Sequence, residues 1–424
     1  MLKIYSRIGE TLALFLPVKY GKFLTKIFND IQYIFNSKFV EKNQKKVLEK
    51  LSKEIKYRKL RVAFLHFRAA KWKCDSLYDL FKNSEYFEPF IIVSRFDSPK
   101  MPSEVVNETY KFFKNKNYNI QLAYNIEKDE FIPIEKFSPD IIFYGEPWSI
   151  YEEHAPLAMS KSALLYYVPY FIANVSSYME YGLSFHLYLY KHFLINDLAR
   201  DFYAPKMLNK GKNLKVVGHP QLDYFYLEQN KNLENKNYVI YAPHWSINVP
   251  EENYATFEWN GEFLLEYAKK HPEINWVFKP HPTLKERIIS QKIMSEESIE
   301  KYWNDWDKIS FKYESGDYMD IFAQSKAMIT DCGSFLTEYF ITEKPVIHLI
   351  SETSIGYNPS AEAVVENYYK AHNLEELELL LNNIIIKNED PLKEIRLKAI
   401  KDLNFAGTYA AENIYNDIME ELKC

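Results

Sequence analysis

Apolar residues gather along the chain in short runs, each followed by a polar turn and a stretch of helical spacing, and this alternation predicts parallel strands with helices on both faces. LRVAFLH (60–66) is the first clear strand and FIIV (90–93) the second, with SLYDLF (76–81) helical between them. IIFY (141–144), LLYYV (164–168), FLI (193–195) and KVV (215–217) continue the series. GHPQLDYF (218–225) then leads into QNKNLENKN (229–237), a polar, asparagine-rich shift that marks the best interdomain boundary. Beyond it, strands are expected near 238–242, 275–279, 327–330 and 345–349, and helices near 260–270, 283–292, 317–325 and 334–342. After Ala361 the pattern is mostly helical.

The expected fold class is therefore α/β, two Rossmann-like domains in tandem with a cleft between them, the architecture called GT-B. The domains take residues 59–225 and 226–424, the second with terminal helices, and residues 1–58 form an extra basic amphipathic segment. A length of 424 residues suits two cores better than one.

In that first segment Leu2, Tyr5, Ile8, Leu12 and Phe15, then Phe23, Ile27, Ile31 and Ile34, recur at helical spacing, interleaved with Lys3, Arg7, Lys19, Lys22 and Lys26. Such a helix suits either the headgroup layer of an anionic membrane or a dock on the protein's own surface. The net charge of −5 is uneven: residues 1–50 carry ten Lys or Arg against four Asp or Glu, so they are +6 and the rest is −11. That balance argues against a nucleic-acid-binding protein. No stretch has the form of a signal peptide, and the uncharged run 162–179 is broken by Pro169, Asn174, Ser176 and Ser177, so it reads as a buried strand and loop rather than a membrane span. A cytoplasmic protein, peripheral on the inner face of the membrane, is the expectation. Cys74, Cys332 and Cys424 form no ligand cluster and fit a reducing compartment.

Three strand ends carry candidate chemistry. AMIT (327–330) ends at Asp331, Gly333 frees the turn, and Ser334 can cap the helix that follows, whose exposed amides favour an anion. YVIYAPHWS puts His244 just after a strand, and INWVFKPHP puts Lys279 and His281 after another. In open parallel sheets ligands bind beyond the carboxyl ends of the strands, so these groups share one pole. No GxGxxG occurs, which disfavours a nicotinamide enzyme, and Asp305-Trp306-Asp307 has no apolar strand ahead of it, so it is read as chance and no metal site is expected.

Together GHPQLD, YAPHW, FKPHP and TDCGSFLTEYFITEKPVIHL resemble the motif series of the CDP-glycerol glycerophosphotransferase family, which builds teichoic-acid-like and capsular polymers. The resemblance implies that His281 sits beside the donor pyrophosphate and that Ser334 and nearby amides hold phosphate oxygens, with His244, Lys279, Asp331, Gly333 and Glu338 as further nucleotide- or phosphate-binding positions. Gly333 stands where the family has the first serine of a pair. The family's Trp-His-Gly tripeptide, thought to supply the base on the acceptor hydroxyl, is missing; His66 is the substitute, with Arg68, Lys71 and Lys73 for a phosphorylated acceptor. The resemblance implies no cofactor beyond the CDP-activated donor, and a polysaccharide or lipid-linked acceptor as partner. Three alternatives stay open: a nucleotide-sugar glycosyltransferase of capsule or lipopolysaccharide synthesis, an enzyme like the UDP-N-acetylglucosamine 2-epimerases, and a non-enzymatic membrane-tethered scaffold.

Overall fold

The computed structural model describes residues 18–98, 102–174, 181–227, 233–250, 252–312, 318–403 and 409–423. The chain divides into two compact units, one of Met1–Phe171, Ser177–Gln221 and Thr408–Cys424, the other of Ile172–Ser176 and Leu222–Gly407.

The first unit holds a seven-stranded sheet of β1 (Leu60–His66), β2 (Phe87–Val93), β3 (Ile120–Leu122), β4 (Ile141–Tyr144), β5 (Leu164–Tyr167), β6 (Lys191–Leu194) and β7 (Leu214–Val216), in the order β3-β2-β1-β4-β5-β6-β7. Every neighbouring pair is parallel. The central strands are buried on both faces, which is why they read as unbroken apolar runs rather than alternating ones. The helix α1 (Val18–Glu54) runs 37 residues, roughly 55 Å. Its later half buries Val40, Gln44, Val47 and Leu51 at spacings of four, three and four, and Gln44 donates to the carbonyls of Ser160 and Ala163. Residues 40–55 thus belong to the core of this unit and are not a separate segment. Positions Leu2 to Phe15 lie outside the described residues.

The second unit repeats the topology with six strands: β8 (Tyr238–Ala242), β9 (Trp276–Phe278), β10 (Phe311–Lys312), β11 (Ser325–Thr330), β12 (Val346–Leu349) and β13 (Tyr369–Ala371), in the order β10-β9-β8-β11-β12-β13. All pairs are again parallel. This is the doubly wound order, and it reverses direction between β8 and β11, the position at which such sheets bind ligands. α2 (Phe257–Lys270), α3 (Leu284–Ser290), α4 (Met319–Gln324) and α5 (Gly333–Phe340) follow β8, β9, β10 and β11 respectively.

Two tandem Rossmann-like domains are therefore present, with departures from the expected layout. The strands β3 and β10 were not expected, β13 lies in a region expected to be mostly helical, and the last helix, α6 (Ala410–Lys423), packs in the first unit: Lys191 bridges Asp417 and Glu421, and Ile414 and Ile418 join its core. The expected assignment of all of 226–424 to one domain is corrected accordingly. No described helix is long and apolar enough to cross a membrane. The uncharged run beginning at 162 enters β5 and then a loop through Asn174, as read.

Candidate active site

The site is built on the switch point of the second sheet. Ala242 and Thr330 are register partners at the ends of β8 and β11, and the Thr330 hydroxyl donates to the Ala242 carbonyl (2.6 Å). Pro243 accepts from the His281 amide (3.0 Å), which ties the loop after β9 to the loop after β8. His244, His281 and Asp331 are thereby brought together.

Asp331 holds this corner rather than facing a ligand. It is buried, with one carboxylate oxygen accepting from the His244 amide (2.6 Å) and the other from the amide and hydroxyl of Thr256 (2.6 and 2.7 Å). Thr256 is the residue that opens α2, so one side chain joins β11, the β8 loop and a helix start. Burial pushes its carboxyl up to about 6 despite these donors. Contacts to ribose from Asp331 are not supported by this arrangement.

His244 and His281 present donors. Ser246 Oγ accepts from the amides of Tyr254 (2.9 Å) and Ala255 (3.3 Å), and its own hydrogen is left for His244 Nδ1 at 2.8 Å. That fixes the hydrogen of the neutral imidazole on Nε2. His281 Nδ1 lies against both the Thr283 hydroxyl (2.9 Å) and the Thr283 amide (3.2 Å), and the amide, which can only donate, favours the hydrogen on Nε2. The two rings meet edge to face with centroids 5.5 Å apart. Burial, and then the neighbouring His281, lower the pKa of His244 to about 3, so it is neutral at pH 7.

Beside them stands the start of α5. The residue that caps it is Cys332, which makes no side-chain cap hydrogen bond, and Ser334 lies inside the first turn; the expected serine cap is corrected. Thr330 Oγ1 accepts from the Cys332 amide (2.9 Å), and Ser334 Oγ is half-exposed. Lys279 is buried with its ammonium over the rings of Tyr318 (5.0 Å) and Phe335 (5.3 Å), so its charge reaches the first turn of α5. Glu338 is buried and accepts from the Tyr318 hydroxyl. Lys344, of the same motif, donates to the carbonyls of Phe322 and Ala323 (2.8 and 2.6 Å) at the end of α4, a structural task.

In the first unit His66 is caged by Trp72 (5.0 Å, edge to face) and Phe113, and its ring leaves no space for a Cβ at Gly145. It is buried, and desolvation lowers its pKa to about 3. This enclosure does not favour the expected role of His66 as the base on the acceptor hydroxyl. Arg68 is ion-paired with the buried Glu146, and Lys71 Nζ lies 4.1 Å from the Tyr170 ring centroid. Lys73 is half-buried nearby in sequence, two residues beyond Lys71. Asp305 sits within the helix 296–309 and pairs with Lys269 (3.0 Å) and Lys308 (3.0 Å). Ser246, Thr256 and Asn174 were not singled out as site residues by the sequence. Of these only Ser246 had a local signal, two residues beyond His244.

A family profile described as CDP-Glycerol:Poly(glycerophosphate) glycerophosphotransferase matches residues 195–419, a little over half of the chain. No curated protein matches. Among solved structures the chain is similar to S. aureus MnaA with UDP (16% identity, 86% of this chain and 97% of that chain, TM-score 0.56). It is also similar to the UDP-GlcNAc 2-epimerase of Neisseria meningitidis bound to UDP-GlcNAc (14% identity, 86% and 100%, TM-score 0.53). A third is the wall teichoic acid polymerase TagF soaked with CDPG (10% identity, 94% and 98%, TM-score 0.54). At these identities the likeness shows the fold alone.

Proposed function

This chain belongs to the CDP-glycerol:poly(glycerophosphate) glycerophosphotransferase family, and from that premise we propose that it moves glycerol phosphate, or a related alditol phosphate, from a CDP-activated donor to a polysaccharide, teichoic-acid-like or lipid-linked acceptor. An acceptor oxygen attacks the phosphorus that bears the alditol, a new P–O bond forms, the bond to the bridging oxygen breaks, and CMP leaves with the added charge. The observation that carries this reading is the pair of Nε2–H imidazoles of His244 and His281 at the β8/β11 switch point, next to the uncapped start of α5. Donors already aimed at the bridging oxygen stabilise the charge that develops there, each by about 3 kcal/mol, without needing to reorient. His281 presents its Nε2 side to the donor while the amide and hydroxyl of Thr283 hold Nδ1. Lys279 adds positive potential, and Ser334 with the first amides of α5 holds phosphate oxygens. The acceptor oxygen gives up its proton to water as the new P–O bond forms.

Incubation with CDP-glycerol and a polyglycerol phosphate acceptor should release CMP. Release of a nucleoside diphosphate from a sugar nucleotide would select a glycosyltransferase instead, and interconversion of UDP-sugars without acceptor would select an epimerase.

The helix α1 supports membrane docking. Ile31, Ile34, Phe35 and Phe39 are exposed on one face, Lys38, Lys42 and Lys45 continue that face, and this pattern suits the headgroup layer of an anionic bilayer.

A further inference from the structure

The segment Ile172–Ser176 belongs to the second unit although it lies far from it in sequence. It is fastened there by Asn358, whose amide donates to the Asn174 carbonyl (2.7 Å) and whose side chain donates to the Ala173 carbonyl (2.7 Å). The Asn174 side chain is 4% exposed. Thr337 Oγ1, on α5, lies 3.0 Å from Asn174 Oδ1 and 3.0 Å from the Ser334 carbonyl. The other end, Nδ2, is buried with no hydrogen-bond partner among the described residues, an unfavourable state for an amide donor. It points at Gly333: a Cβ built there would lie 3.4 Å from Nδ2. Gly333 has no left-handed φ, and a Cβ there would meet Nδ2 at ordinary van der Waals distance, so the amide lies directly against the first residue of α5.

An unsatisfied donor therefore faces the first residue of a helix whose cap offers no acceptor side chain. Donors on both sides and the positive end of the helix dipole leave one chemistry to complete them, that of an anionic oxygen. We propose that Asn174 is a phosphate-binding residue of this site, donating its side-chain amide to a phosphate oxygen of the nucleoside diphosphate held at the start of α5. This rests on the reading of that helix start as the donor phosphate site, and it adds a residue outside the matched span 195–419.

The test is titration calorimetry of the full chain with cytidine, CMP and CDP, for the parent and for Asn174→Ala and Asn174→Asp. Loss of one charge-assisted hydrogen bond should weaken CDP by roughly tenfold or more in Asn174→Ala, and by more in Asn174→Asp, whose carboxylate repels phosphate. Cytidine affinity should not change. Parental CDP affinity in both variants, or an equal loss for cytidine and CDP, overturns the proposal. If Asn174→Ala does not fold, the isosteric Asn174→Asp is read alone, and parental CDP affinity in it overturns the proposal. A parent that prefers UDP or GDP overturns the cytidine assignment under the proposed function, and the same comparison is then read with that diphosphate. A parent that binds no nucleoside diphosphate overturns both.

Discussion

Thr283 favours the Nε2–H form of His281, because its backbone amide, which can only donate, lies against Nδ1 beside its hydroxyl. Removing that donor removes stabilisation that grows as the bridging bond breaks, so His281→Ala should lower kcat for CMP release by about 10²-fold or more while the Kd for CDP changes much less. An equal change in both would show that the imidazole only binds. Asp331 makes a different prediction. Its folded pKa of about 6 exceeds the roughly 3.9 of an unfolded aspartate, so the fold favours the protonated form. Its contribution is full below about pH 4 and declines as pH rises through 6, and about 1 kcal/mol of that decline falls between about pH 5.5 and pH 7.5. Asp331→Asn sets an amide NH2 against the Thr256 or His244 amide and should destabilise at both pH values, but by about 1 kcal/mol less at the higher one. Urea unfolding of parent and variant at both pH values measures this, and a penalty independent of pH would overturn the titration.

At the scale of elements, α1 divides its faces along its length: Val40, Val47 and Leu51 are core, whereas Ile34 and Phe35 are about two-thirds exposed (67% and 69%). Charging those two positions should leave the melting temperature within a degree or two and abolish co-sedimentation with phosphatidylglycerol vesicles, since each apolar side chain removed from the interface forfeits about 1.5–3 kcal/mol. Retained binding would show that this face does not meet lipid. The elements also show what the amino-acid order discloses. Buried parallel strands such as β1, β4 and β5 are continuous apolar runs and were legible as such. The edge strands β3, β10 and β13 have two or three residues each, too few to carry a period, and were not. The helix 296–309 places Ile299, Tyr302, Trp303 and Trp306 at intervals of three, one and three, yet its dense charges masked that stripe. His244, Lys279, His281 and Asp331 were legible because the chain itself sets them at strand ends. Asn174, Thr256 and the cage around His66 were not, because tertiary packing across 75 to 163 positions assembles the first two contacts and aromatic rings from separate elements close the third.

Over the whole molecule, both units bury neutral histidines. Desolvation lowers His66, His244 and His348 to about 3 and His154 and His219 to about 4, against roughly 6.5 when unfolded. The unfolded chain therefore binds more protons below pH 6.5, and stability that is complete above that value is lost as pH falls toward the folded pKa values. At pH 5 each group contributes a loss of about 2 kcal/mol, together about 10 kcal/mol, of which the rise of Asp331 offsets about 1 kcal/mol. That loss is comparable with a total stability of about 5–15 kcal/mol and grows further as pH falls, so acid unfolding is expected between about pH 5 and pH 4. The first unit contains His66, His154 and His219 and the second His244 and His348, so the first should yield at the higher pH and the transition should not be two-state. Far-ultraviolet circular dichroism and tryptophan fluorescence followed from pH 7 to pH 4 measure both features. Native signals retained at pH 4 would mean that these imidazoles are solvated in the folded chain, and the neutral, Nε2-protonated state of His244 would lose its basis along with the acid lability.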